Sequence, residues 1–205
     1  MSGKRARCFY CGDSLGADVD HYWPIALKHS LTFTWKNWLL VCPNCNRHKS
    51  DRFPTDSSGN PLLLDPSTRD PWKHLILDVH TGLIAPRYSE EDYDPIGEAT
   101  LDVLHCLLNE SISEGRLRVI KRLRRAVADF LNREEKAEAW ERLLQEVAED
   151  DYGVSLWLFA WEGSREDPFS SFKCSFPHLN RRLISFAMRW PYVDKPIDVS
   201  IASLM

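Results

Sequence analysis

Nothing in this chain is long and apolar enough to span a bilayer. The longest apolar run, Leu156-Trp157-Leu158-Phe159-Ala160-Trp161, has six residues where a membrane helix needs about 20. No secretory leader is recognisable at the N-terminus, which weighs against reading the clustered cysteines as two disulfides of a secreted protein. The expected compartment is therefore a reducing cytoplasm. An excess of positive charge is also missing. The formal net charge of −4 excludes a protein that coats DNA by charge alone, and leaves only a local basic surface for nucleic acid. What is present suits a globular protein. A length of 205 residues allows one domain or two small ones, and 43% apolar residues with eight tryptophans can fill a proper core.

The cysteines carry the strongest signal. Cys8-Phe9-Tyr10-Cys11 and Cys42-Pro43-Asn44-Cys45 are two Cys-x-x-Cys pairs. Each can clip one side of a tetrahedral zinc, with four soft thiolates at the vertices. The gap over residues 12–41 exceeds the usual ribbon spacing of roughly 15–20 residues, so a folded insert is expected between the pairs. Cys106 and Cys174 stand alone in apolar company and are expected to be plain buried thiols.

Inside the insert, Val19-Asp20-His21-Tyr22-Trp23 reads as a short strand ended by Pro24. Trp38-Leu39-Leu40-Val41 reads as a second, more buried strand. From Asn46 there is no helix breaker until Pro54, so a short helix is expected there. The sum is a ββα unit pinned by zinc. Cys-x-x-Cys, then Asp-His-x-x-Pro, then Asn-x-Leu-Leu-x-Cys-x-x-Cys-Asn-x-x-Lys occur here in that order, and they resemble the HNH endonuclease family over about the first quarter of the chain.

Phosphodiester hydrolysis needs an activated water and a Lewis acid for the developing charge. His21 is the candidate general base, because an imidazole that is neutral near pH 7 suits that task. Asp20 leaves the strand on the opposite side and offers hard oxygens suited to Mg²⁺ or Mn²⁺. The resemblance implies that Asp20 and Asn46 hold the catalytic ion and that Asn37 braces the loop and orients the base. His48 lies about 200° around a helix from Asn46 and is the alternative ligand. Arg47, Lys49 and Arg52 are candidate phosphate contacts. Lys28, His29 and Lys36 fall in or beside the loop between the strands, which borders the groove-facing side in the family it resembles.

Past the motif the chain turns to Pro, Asp, Ser and Gly over Phe53–Pro61, a linker or wrapped loop. Leu62-Leu63-Leu64 is expected as a brief strand, and His74–Val79 with Leu83–Ala85 as a hairpin turning at His80-Thr81-Gly82. His74 and His80 are expected to be structural. Residues 97–108 and Ser113–Leu131 read as helices. The second buries Leu117, Ile120 and Val127 and turns out Arg118, Lys121, Arg122 and Arg125. That stripe is either solvated surface or a clamp on DNA backbone. Arg133–Asp151 is a strongly acidic helix that avoids DNA and can dock on the basic one or on a partner. The rest is aromatic, with Trp157, Phe159, Trp161, Phe169, Phe172, Phe176, Phe186 and Trp190 suited to a core or an interface.

The expected architecture is α+β, with a zinc-stapled ββα-metal unit over residues 1–58. A β-hairpin and a mainly helical accessory region occupy residues 59–205. The expected activity is metal-dependent endonucleolytic cleavage of DNA, with structural Zn²⁺ and catalytic Mg²⁺ or Mn²⁺. The Trp-x-Asn-Trp-Leu-Leu segment, continued by Cys-x-x-Cys-Asn-x-x-Lys-x-x-x-Phe-Pro, also looks like HNH effectors of bacterial anti-phage systems, such as Septu-type and retron-associated nucleases. That likeness implies an ATPase partner subunit. The alternatives are a stand-alone restriction or mobile-element endonuclease, and a non-catalytic zinc-dependent DNA-binding or adaptor module.

Overall fold

The computed structural model describes residues 5–89 and 91–189. The chain divides into two compact units, Met1–Gly115 and Arg116–Met205. Among the described residues are seven α-helices and two small antiparallel sheets of two strands each, so the α+β expectation holds. None of the described helices is long and apolar enough to cross a membrane.

The first unit begins with a knuckle. Gly12 N–H returns to the Cys8 carbonyl at 2.9 Å, which needs the left-handed φ of 69° that glycine adopts without strain. Strand β1 (Asp18–His21) then pairs antiparallel with β2 (Trp38–Val41), setting Asp20 opposite Leu39 and His21 opposite Trp38. Alternation puts Asp18 and Asp20 on one face of β1 and Val19 and His21 on the other. Helix α1 (Pro43–Lys49) starts at once. The Cys42 sulfur caps it by accepting the Cys45 N–H at 3.4 Å, and Pro43 needs no partner at the first position.

Leu62–Leu64 forms no strand. Leu63 and Leu64 are buried, but their backbone groups go to side chains: the Leu63 carbonyl accepts Tyr22 Oη–H at 2.6 Å, and Leu64 N–H donates to Thr100 Oγ1 at 2.8 Å. The hairpin does form, with β3 (Leu75–Leu77) antiparallel to β4 (Ile84–Pro86). The Asp78 side chain organises its turn by accepting from His80 N–H and Thr81 Oγ1. Helix α2 (Pro95–Val103) comes next, capped by Asp94, whose Oδ1 accepts from Ile96 N–H and Gly97 N–H. His74 Nδ1 lies 3.0 Å from the same carboxylate and ties the hairpin to the helix start. A 3₁₀ turn, His105–Leu108, leads on to α3 (Glu110–Asn132).

From Arg116 onward the second unit is helical, with α4 (Lys136–Ala148), α5 (Val154–Ala160), α6 (Phe169–Ser175) and α7 (Pro177–Arg189). The aromatic tail is its core. Phe130, Phe159, Phe169 and Phe172 are fully buried and meet edge-to-face, with Phe130 and Phe172 centroids 5.4 Å apart. Trp190 lies outside the described residues. The acidic helix α4 does dock on the basic one. Arg122 faces Glu146 at 3.2 Å and Glu149 at 3.7 Å. Pairing within the fold, rather than display to phosphate, is therefore the setting of Arg122. Arg118, Lys121 and Arg125 remain exposed on α3.

Gly97 is where α2 comes closest to the hairpin. A Cβ there would lie 2.3 Å from the His74 carbonyl oxygen, so backbone has to move. Gly97→Ala is expected to cost about 1–3 kcal/mol, the usual penalty of overpacking. Urea unfolding measures it, and an unchanged midpoint would show that helix and hairpin part easily.

Candidate active site

The four thiols come first, because they set the frame. Cys8, Cys11, Cys42 and Cys45 are all buried, and their sulfurs lie within 4.8 Å of one another. Cys11 and Cys42 Sγ are 4.0 Å apart, and none of the cysteines is in a disulfide. A tetrahedron of sulfurs around zinc, at about 2.3 Å from the metal, has edges of about 3.8 Å, so the donor set and spacing fit Zn²⁺. Without a cation the crowded thiols cannot all ionise. Hydrogen bonding to Cys11 drives the Cys8 thiol up, while Cys11, hydrogen-bonded to Cys45 and Cys8, is held down. A divalent ion replaces those protons with one shared charge. Cys106 is buried as expected, with its sulfur 3.8 Å from that of Cys45, whereas Cys174 is exposed.

The β1 face toward α1 carries two rungs. Lys49 Nζ donates to Asp20 Oδ1 at 2.9 Å and to the His21 carbonyl at 2.8 Å. Asn46 Nδ2 donates to Asp18 Oδ2 at 3.0 Å. Asn46 and Lys49 share a helix face because they are three apart, and Asp18 and Asp20 share a strand face because they are two apart. Tyr10 Oη–H closes the arrangement by donating to Asp20 Oδ2 at 2.9 Å. Burial pushes the Asp20 carboxyl up, against the opposing pull of Lys49 and Tyr10. Burial likewise raises Tyr10, with Asp20 adding to it, so the phenol stays a donor.

Lys49 is thus misread as a phosphate contact: it has 0% exposure and is the internal counter-ion of Asp20. Arg52 is exposed but is held by the backbone rather than left free for phosphate. Its guanidinium donates to the carbonyls of His48, Asp102 and Val103, fastening the end of α1 to the end of α2. Arg47 is exposed. His48 is turned away from both rungs and packs edge-to-face on His105, with centroids 4.1 Å apart.

His21 stands on the other face of β1. Its Nε2 lies 2.9 Å from the Thr32 carbonyl, which can only accept, so Nε2 carries the proton. In the neutral ring Nδ1 then keeps its lone pair. The same carbonyl accepts from Trp38 Nε1 at 2.7 Å, and the Trp38 ring meets the imidazole edge-on. Asn37 braces this loop. Its Oδ1 accepts Trp23 N–H at 2.7 Å, its Nδ2 donates to the carbonyls of Trp23 and Leu31, and its carbonyl accepts Tyr22 N–H.

Residues 8–52 match the family model described as HNH endonuclease. The HNH region therefore coincides with the knuckle, β1, the loop, β2 and α1. Neither a curated protein nor a solved structure matches the chain.

Do the HNH residues suit a catalytic divalent ion? Asp18, Asp20 and Asn46 offer hard oxygens across one strand–helix gap, and each Asp20 oxygen has one hydrogen-bond donor where it can take two. Mg²⁺ commonly uses only one or two carboxylates and keeps waters, so this sparse set fits. Reading the sequence missed Asp18, although its two-residue offset from Asp20 places it on the same face. It also missed Tyr10 and the Thr32 carbonyl, for which the sequence holds no signal.

Two outcomes are expected of this frame. Purified protein should hold one zinc per chain by metal analysis, and Cys42→Ser should lose the metal along with the folded HNH region. Well-folded protein without zinc would contradict this. Lys49→Met should strand the buried Asp20 charge and cost about 3–5 kcal/mol in chemical unfolding. A cost below about 1 kcal/mol, the range of exposed pairs, would mean that solvent reaches the pair.

Proposed function

We propose that this protein is a metal-dependent endonuclease that hydrolyses DNA phosphodiester bonds at the HNH region. One observation carries the reading: His21 is held by Nε2 on a backbone carbonyl, with a lone pair left on Nδ1, on the strand that also bears Asp20. Asp20 and Asn46, with Asp18 beside them, would hold Mg²⁺ or Mn²⁺, which supplies charge neutralisation at the phosphate. His21 Nδ1 accepts a proton from the attacking water. The Thr32 carbonyl keeps the imidazole in the tautomer that can do so, and Trp38 keeps its ring from turning. Lys49 orients Asp20 and, through the His21 carbonyl, the backbone of the base itself. The expected products carry a 5′-phosphate and a 3′-hydroxyl.

A role in anti-phage defence, with an ATPase partner in the bacterial cytoplasm, is a narrower form of this proposal. Its support is the likeness of the Trp-x-Asn-Trp-Leu-Leu segment and its continuation to Phe53-Pro54 alone. Recovery of an ATPase with the tagged protein from its own operon would support it, and recovery of the protein alone would favour a stand-alone enzyme.

Cleavage of supercoiled plasmid across a Mg²⁺ and Mn²⁺ titration tests the main reading. His21→Ala should stay folded and lose about 10²–10⁴-fold in rate, the usual worth of a general base. Asn46→Ala should lose far more than His48→Ala. Full activity in His21→Ala would remove this mechanism. An inactive His48→Ala beside an active Asn46→Ala would move the ligand assignment to His48.

A further inference from the structure

The loop between β1 and β2 displays rings that the fold does not use. Phe33 is 89% exposed and Trp35 is 64% exposed, the two most open aromatic side chains among the described residues. Lone exposed apolar residues are ordinary on a protein surface. These two are unusual in being held so firmly. Thr32, next to Phe33, has its carbonyl fixed by His21 and Trp38. Trp35 opens a 3₁₀ turn that ends at the buried Asn37, and its ring leans on Trp38 with centroids 5.9 Å apart. Both rings therefore stand on a braced backbone and lose little freedom when something stacks on them.

The charge around them selects the occupant. No aspartate or glutamate occurs between Asp20 and Asp51, in a chain whose net charge is −4. Lys28, Lys36 and Arg47 are exposed over that span, and Lys28 Nζ sits 4.3 Å above the Trp23 ring. Exposed rings set among cations, without acids, match a nucleic-acid strand. Flat rings can stack on a base only where the base face is open. In a duplex those faces are covered by neighbouring pairs.

We propose that Phe33 and Trp35 form a base-stacking platform beside His21, and that the substrate of this site is DNA with an unpaired strand. This rests on the nuclease reading of the same site. Phe33 comes directly after the residue that holds the His21 ring, so an unpaired base on Phe33 delivers an adjacent phosphate to the imidazole. Lys28 and Lys36 attract the backbone of that strand.

The test uses full-length, zinc-loaded protein carrying His21→Ala, so that bound DNA is not cut while Trp38 Nε1 still holds the Thr32 carbonyl. Its binding to a fluorescein-labelled single-stranded 12-mer and to the blunt duplex of the same sequence is measured in Mg²⁺. Adding Phe33→Ala or Trp35→Ala should weaken single-strand binding roughly ten- to a hundredfold, the worth of one stacked base, and leave duplex binding within about twofold. Phe33→Trp should restore it. Zinc content and thermal melting of each variant should match the parent, since neither ring is buried. Equal losses on single strand and duplex, or no loss on either, would overturn the platform. Failure of the nuclease reading looks different. A protein that cuts no DNA with His21 intact, yet loses single-strand binding on Phe33→Ala, keeps the platform as a binding surface and overturns the enzyme. Cleavage with His21 intact, and single-strand binding indifferent to both rings, overturns the platform alone.

Discussion

Four sulfurs converging on one point constrain the HNH region of the first unit. The segment over residues 8–52 has few buried apolar side chains of its own, chiefly Leu39 and Val41 on β2, too few to hold a fold by burial alone. The thiols compensate by position. Cys42 ends β2 and caps α1, Cys45 lies in the first turn of α1, and Cys8 and Cys11 bracket the knuckle. Fixing those points fixes the angle at which the helix leaves the strand. That angle decides which helical residues look at β1.

The rungs between α1 and β1 show what the angle delivers. A buried lysine against a buried aspartate is a poor source of net stability, because desolvation offsets most of the attraction. Its value lies in register. Lys49 reaches both the Asp20 carboxylate and the His21 carbonyl, so a shift of the helix by one residue would leave two acceptors and one ammonium buried without partners. The same strand presents the Asp18 and Asp20 carboxylates on one face and the imidazole on the other, and the loop carbonyl of Thr32 completes the second face.

Much of this was legible because it is local. Two Cys-x-x-Cys pairs, alternating strands, a hairpin turn at Gly82 and the amphipathic stripe of α3 are patterns within short windows, and each appeared where expected. Failures came where a residue's partner is remote or belongs to the backbone. Lys49 looked like surface because lysine usually is. Its partner is 29 residues away in sequence, and only the fold joins them. Leu62–Leu64 had the composition of a strand, but Tyr22 and Thr100 took its backbone groups. The chain after residue 151 resisted because α5 and α6 have seven residues each, less than two full turns, so no period could show.

Arg52 is the last residue of the family match, and it bears on modularity. By reaching the carbonyls of Asp102 and Val103 it welds the HNH region to chain fifty residues downstream, with His105 and Cys106 packed just beyond. The nuclease motif is therefore not a cassette that ends where its sequence signature ends. Transplanting residues 8–52 alone would strip one side of α1, baring the Cys45 thiol and leaving the Arg52 guanidinium without its downstream acceptors. The smallest portable piece is the one that carries α2 and the turn after it.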